Sequence, residues 1–256
     1  GSNDKLLSMT SVVLGHIPFA LIGLFIFGLP DLVGLNYILA SSLLHCLYQI
    51  FLLNAYKFGE LSEIYPIARG LSPLIITSMS FLFFYENISL QETIGIFLIS
   101  FSLIIYGLKQ FLDKKSNFKG FCLAIITGCL IASYSLVDGF GARVTQNPIG
   151  FYSVMTLING FIFFFFARWK ERGILNRIII SGKISFFVGG TASYLAYGIV
   201  VWACLYLPIA VVSSLRETSI LFAIFLGLFF LKEKLDLTKS LLIIGLFLGI
   251  LILRLG

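Results

Sequence analysis

Residues 62–73 read S-E-I-Y-P-I-A-R-G-L-S-P, from Ser62 to Pro73, and open an apolar run that continues to Phe84. Arg69 stands inside that run, where a lipid-facing helix would carry hydrocarbon. An arginine at depth in a bilayer costs about 2.5–3.5 kcal/mol on insertion scales, so Arg69 is expected to face a bundle interior or a wet cavity. Pro66 and Pro73 each remove a backbone donor, so this helix is expected to bend. Tyr65, Arg69 and Ser72 follow at spacings of four and three, which puts them on one face. A bent apolar span with a polar stripe is the pattern of a site-lining membrane helix.

The rest of the chain makes that span one of many. Of its 256 residues 59% are hydrophobic and 12% charged, and the mean hydropathy is +1.02. A soluble domain carries about 25% charged residues, and surface-to-volume scaling would leave too much of this apolar surface in water. The fold class is therefore all-α integral membrane. The net charge of +6 sits in loops, where it reports orientation, not nucleic-acid binding. Cys46, Cys122, Cys129 and Cys204 fall in apolar runs without a C-x-x-C and read as free thiols. Two histidines argue against a histidine-ligated metal, and no cofactor is expected.

A span needs about 20 apolar residues. Nine candidates follow: Leu6–Leu29, Leu35–Tyr56, Leu61–Phe84, Glu92–Phe111, Phe118–Ala142, Ile149–Ala167, Ile184–Tyr206, Ile209–Leu231 and Lys239–Leu253. Short connections join them, including Asn87-Ile88-Ser89, a turn that also matches a glycosylation pattern, and Arg168 to Gly182. F-L-F-F-Y-E at 81–86 resembles L-F-F-L-K-E at 228–233, and the offset of 147 that joins Glu86 to Glu233 also sets Arg69 on Arg216 and Ser72 on Ser219. This is an internal repeat: residues 1–116 hold four spans and 117–256 hold five. The first copy then lacks its first span, which reads as an N-terminally truncated ten-span protein. An odd number of spans per repeat inverts the second copy across the membrane. Taken by alternate loops, one side holds 14 lysines and arginines and the other holds Arg143 and Arg254, so the rich side is expected to be cytoplasmic. That orientation sets Arg69 in the cytoplasmic half of its span and Arg216 in the outer half.

Ala55-Tyr56, Gly59-Glu60-Leu61-Ser62, Tyr65-Pro66-Ile67-Ala68-Arg69-Gly70, Ser72-Pro73 and the Glu86 before Ile88-Ser89 resemble the drug/metabolite transporter superfamily, specifically its ten-span EamA-type members. Asp4-Lys5-Leu6-Leu7-Ser8 looks like that family's connection between its first and second spans. The second repeat departs from the motif, with Val212 at the place of Tyr65 and no proline matching Pro66. The resemblance implies a secondary carrier of small metabolites, a central cavity between the repeats, and alternating access.

Arg69, with Tyr65 and Ser72, reads as a cation that attracts an anionic group of the substrate. The alternative is an arginine that locks helices through backbone carbonyls or a glutamate such as Glu63. Arg216 and Glu217 are neighbours on a helix and diverge by about 100°, so each is expected to need its own partner. Glu217 reads as a gate or coupling carboxylate, or as a structural pair, and Pro66 and Pro73 as bending points. His45, Tyr48 and Gln49 share a face, on which His45 could bind protons near neutral pH or simply pack. Tyr197 and Trp202 read as cavity wall or interfacial anchors. Asp138, beside Gly139 and Gly141, reads as helix-end chemistry. Gly245 and Gly249 form G-x-x-x-G, a close-packing face within the bundle or in a homodimer. No G-x-x-x-x-G-K-[ST] occurs, which disfavours direct ATP drive. The leading expectation is a secondary transporter of small polar, anionic or zwitterionic metabolites in a bacterial inner membrane, with membrane lipid and a small-molecule substrate as partners and no nucleic acid. The alternatives are a non-transporting partner or receptor subunit, and an intramembrane enzyme.

Overall fold

The computed structural model describes residues 2–114, 117–230, 232 and 235–255. Glu233 of the repeat match, and Lys115 and Lys234 of the charge tally, lie outside the described residues. Among the described residues the chain is helical: α1 Ser2–Gly15, α2 Ile17–Phe27, α3 Leu35–Ala55, α4 Leu61–Met79, α5 Leu90–Asp113, α6 Phe118–Thr145, α7 Pro148–Lys170, α8 Ile174–Ser181, α9 Gly190–Ala203, α10 Ile209–Arg216, α11 Ser219–Phe230 and α12 Leu237–Leu255. Nine stretches of these residues are long and apolar enough to cross a membrane, with mean hydropathies between 1.4 and 2.0.

Several spans are built from pieces. The first changes from α1 to α2 at His16, where Pro18 opens α2. α4 runs through Pro66 and Pro73 as one helix, then widens into a π-helical turn, Ser80–Phe84, that ends at left-handed Tyr85. The seventh span starts with a second π-helical turn, Ser185–Gly189, ahead of α9. The eighth breaks between α10 and α11: Glu217 and Thr218 donate to Ser214 and Leu215, three residues back, so the α-helical ladder is interrupted there. Ser89 begins α5 through a reciprocal capping box with Glu92. The connection expected from Arg168 to Gly182 contains α8, whose Ile174 and Ile178 are buried against Leu7. That i, i+4 pair was the available signal, and its eight-residue length kept it below a span.

The chain forms two compact units, each drawn from both repeats: Gly1–Leu53 with Leu136–Tyr206, and Asn54–Ser135 with Leu207–Gly256. In the first unit α2 lies along α7, and α1 packs on α7, α9 and the π-turn before α9. Ala20, Ile38, Ala142, Phe151, Tyr152, Met155, Tyr194 and Val201 form one buried cluster there. In the second unit α5 packs between α4 and α12, and α10 packs on α4 and α5. Leu90 and Leu237, the first residues of α5 and α12, stand at the repeat offset found in the sequence, so the second unit pairs repeat-related helices. The surface is inverted relative to a soluble protein. Phe25, Leu29, Phe222 and Phe229 are exposed, while Ser41, His45, Gln49, Asp138, Asn159 and Glu217 are buried.

Candidate functional site

In the second unit the polar face of α4 meets the break between α10 and α11. Arg69 Nε donates to Glu217 Oε2 at 2.5 Å, Nη1 donates to Tyr65 OH at 2.8 Å, and Nη2 donates to the Arg216 carbonyl at 3.2 Å and to Ser219 Oγ at 3.4 Å. The Arg69 side chain is 13% exposed and Glu217 is fully buried. The break is what makes this geometry available. It strands the last carbonyls of α10, and a guanidinium both satisfies one of them and complements the negative end of the helix. The other end of α10 is also held, since the Ile209 N–H donates to Glu86 Oε2 at 3.3 Å, while Ser80 Oγ donates to that same oxygen at 2.8 Å. α10 thus has a carboxylate at its positive end and a guanidinium at its negative end, both supplied by the first repeat.

Glu217 has a partner of its own in Arg69, and Arg216 Nε stands 3.7 Å from Glu217 Oε1. One expectation changes here. Glu63 is not the partner of Arg69: it is buried near the α4 start with Lys114 Nζ 3.9 Å away. The Arg69 side chain reaches the Arg216 carbonyl, so the two repeat-related arginines lie within one side chain's length of each other. Ser72 is buried on α4 and does not bond to Arg69.

The first unit holds a second polar cluster. Asp138 on α6 accepts from Ser41 Oγ on α3 and from Tyr197 OH on α9 at 2.6 Å, and His45 Nε2 on α3 lies 2.9 Å from Asp138 Oδ2. Tyr48 and Tyr197 set their rings edge-on to the imidazole, at 5.6 and 5.5 Å. One turn on, Gln49 Nε2 donates to Asn159 Oδ1 on α7 at 3.2 Å. Asp138 is therefore no helix-end residue. It lies seven positions before the end of α6 and is 2% exposed. Gly141 admits the Phe151 ring and does not end the helix, which runs on to Thr145.

Trp202 is half exposed at the end of α9, its ring 5.2 Å from that of Tyr206. Gly245 and Gly249 face α5: a Cβ on Gly245 would collide with Ser102, and one on Gly249 with Ile99.

A membrane bundle with two buried polar clusters defines the class, a polytopic integral membrane protein with polar chemistry inside. The EamA-like transporter family model matches residues 118–255, the whole second repeat, and the chain belongs to that family, within the drug/metabolite transporter superfamily. Its members are membrane transporters, not enzymes. A solved crystal structure shares the fold at a TM-score of 0.66 with 15% identity, covering 98% of this chain and 88% of the other. Curated protein sequences give no match to the chain.

Proposed function

We propose that this chain is a secondary carrier of small polar metabolites, with zwitterionic or anionic solutes as its substrate class, working by alternating access between two inverted repeats. The supporting observation is the buried Arg69–Glu217 pair at the broken span. Taking two charges out of water is expensive, and a hydrophobic pair of similar volume often serves stability as well. A pair retained at a helix break, on the face that carries the family-like motif, is better explained by exchange of partners. A zwitterion offers both replacements: its carboxylate or phosphonate to Arg69 and its ammonium to Glu217. Arg216 Nε, 3.7 Å from Glu217 Oε1, sets a second cation beside that carboxylate. The proposed setting is a bacterial cytoplasmic membrane with the lysine- and arginine-rich loops inside.

The test is reconstitution of the full chain in vesicles, followed by a flux screen of amino acids, phosphorylated metabolites and phosphonates. Saturable counterflow of at least one solute is expected, and Arg69→Ala should abolish it. Wild-type flux in Arg69→Ala would remove Arg69 from the site. A screen without saturable exchange would favour a non-transporting membrane partner.

A further inference from the structure

We infer that the apolar cleft between the first span, α7 and the π-helical turn Ser185–Gly189 holds one acyl chain of an anionic phospholipid, whose phosphate is bound by Arg168 and Lys183. The site lies within the first unit and does not depend on the carrier reading.

Two irregular helices make the cleft. The first span changes from α1 to α2 at His16, and the seventh opens with a π-helical turn, so neither offers α7 a regular ridge to pack against. The space left is about 440 Å³, walled by Leu14 and Pro18 of the first span, Leu157, Phe161 and Phe164 of α7, and Phe186 of the turn. Phe161, Phe187 and Val188 are exposed, so the cleft lies at the lipid-facing surface of this unit. From Leu157 to Phe164 it runs about 10 Å along α7. A crossing helix would cover about 30 Å of hydrocarbon. The cleft therefore suits a single chain better than a neighbouring span.

Charge decides which lipid. Leu157, Phe161, Phe164 and Arg168 follow at spacings of four, three and four, and Arg168 lies within about 20° of Leu157 around the helix axis. Arg168 thus stands one turn beyond Phe164 on the stripe that lines the cleft. On the facing wall Lys183 stands three residues before Phe186. Both are exposed, and both belong to the end of the unit where the connection through α8 joins α7 to the seventh span.

Residues 168–183 hold five basic side chains and one acid, Glu171. Glu171 is occupied by Arg177 at 2.9 and 3.0 Å, and Arg177 also reaches Asp4 at 3.1 Å. Arg168 and Lys183 have no carboxylate partner among the described residues. Two cations on facing walls, both at one end of an apolar cleft, match a phosphodiester with its chain beneath it. Lys170 and Arg172 share the charge but not the place. Lys170 lies about 160° round α7 from Arg168, over the Trp169 ring, and Arg172 follows the end of the helix.

Purified full chain in detergent is given dioleoyl phosphatidylglycerol or dioleoyl phosphatidylcholine, and bound lipid is counted by native mass spectrometry. One phosphatidylglycerol should be retained about five-fold or more tightly than phosphatidylcholine. Arg168→Gln with Lys183→Gln should bring that preference within about two-fold, whereas Lys170→Gln with Arg172→Gln, the same loss of charge elsewhere, should leave it intact. All four side chains are exposed, so both paired variants are expected to fold. Dihexanoyl phosphatidylglycerol, with the same headgroup on short chains, should bind about ten-fold or more weakly. Inorganic phosphate should not displace the long-chain lipid. Equal retention of the two dioleoyl lipids, or equal losses in the two paired variants, overturns the site. Dihexanoyl lipid held as tightly as dioleoyl, or displacement by inorganic phosphate, means that phosphate binds without the cleft and overturns the lipid assignment. Dimers of the chain that retain no lipid would put a second copy on this face and overturn it as well.

Discussion

Arg69 joins four partners, and its energetics follow from what each loss would strand. Arg69→Met leaves Glu217 buried without its guanidinium, and removing one member of a buried pair costs about 3–5 kcal/mol. The double change Arg69→Met with Glu217→Gln removes both charges and should recover most of that loss. Thermal unfolding of the two variants in detergent checks the expectation, and a double variant as unstable as the single one would mean that packing, not charge, is what Arg69 supplies. Arg69→Lys should fail to rescue transport, because an ammonium cannot reach the carboxylate, the phenol and the carbonyl in the planar fork that arginine uses. Part of this site was legible in the sequence. Tyr65 and Arg69 are one turn apart on a helix, and that spacing alone brought them together. Glu217 was not legible as the partner of Arg69. The pairing depends on a helix break that no proline or glycine announces between Leu215 and Thr218. Asp138 was not legible for a related reason: glycines after a carboxylate are the pattern of a helix end, whereas Gly141 makes room for the Phe151 ring.

The elements explain why the break survives. α10 has eight residues, about 12 Å of helix, too short to be stable alone. It persists because Glu86 and Arg69 complement its two ends and α4 and α5 cover its side. Glu86→Gln keeps a hydrogen-bond acceptor but removes the charge, an effect of about 0.3–1 kcal/mol for an ordinary helix terminus. The expected readout is faster amide hydrogen exchange in α10, with α7 unchanged. Slowed or unaltered exchange would mean that Glu86 does not hold that end. The α5–α12 contact is of another kind, a close approach built on Gly245 and Gly249. Gly249→Val would drive methyl groups into Ile99 and should destabilise the protein by about 1–3 kcal/mol, as overpacked contacts do. The G-x-x-x-G signal was visible in the sequence, but the partner helix was not, because spacing reports a small-residue face and not what covers it.

At the scale of the whole molecule, the nine apolar helices among the described residues and an unequal distribution of basic residues make a definite claim about sidedness. The two tryptophans agree with helices that cross from one interface to the other. Trp169 is exposed beside Lys170 at the end of α7, and Trp202 lies half exposed at the end of α9 on Tyr206. Both ends therefore carry the aromatic anchors typical of headgroup depth. Arg172, in the basic connection after α7, and Asn87, in the turn before α5, are both exposed and are separated by α5, α6 and α7. If each of those helices crosses, the two positions lie on opposite sides of the membrane. In a background with Cys46, Cys122, Cys129 and Cys204 replaced, Asn87→Cys in intact bacterial cells should react with a membrane-impermeant maleimide. Arg172→Cys should react only after permeabilisation. Labelling of both positions in intact cells would mean that one of the three helices does not cross. An exchange of the two results would keep the topology and reverse it, which would require basic loops to be translocated against the usual bias. The expected result places the connection through Asp113 and Lys114 on the cytoplasmic side.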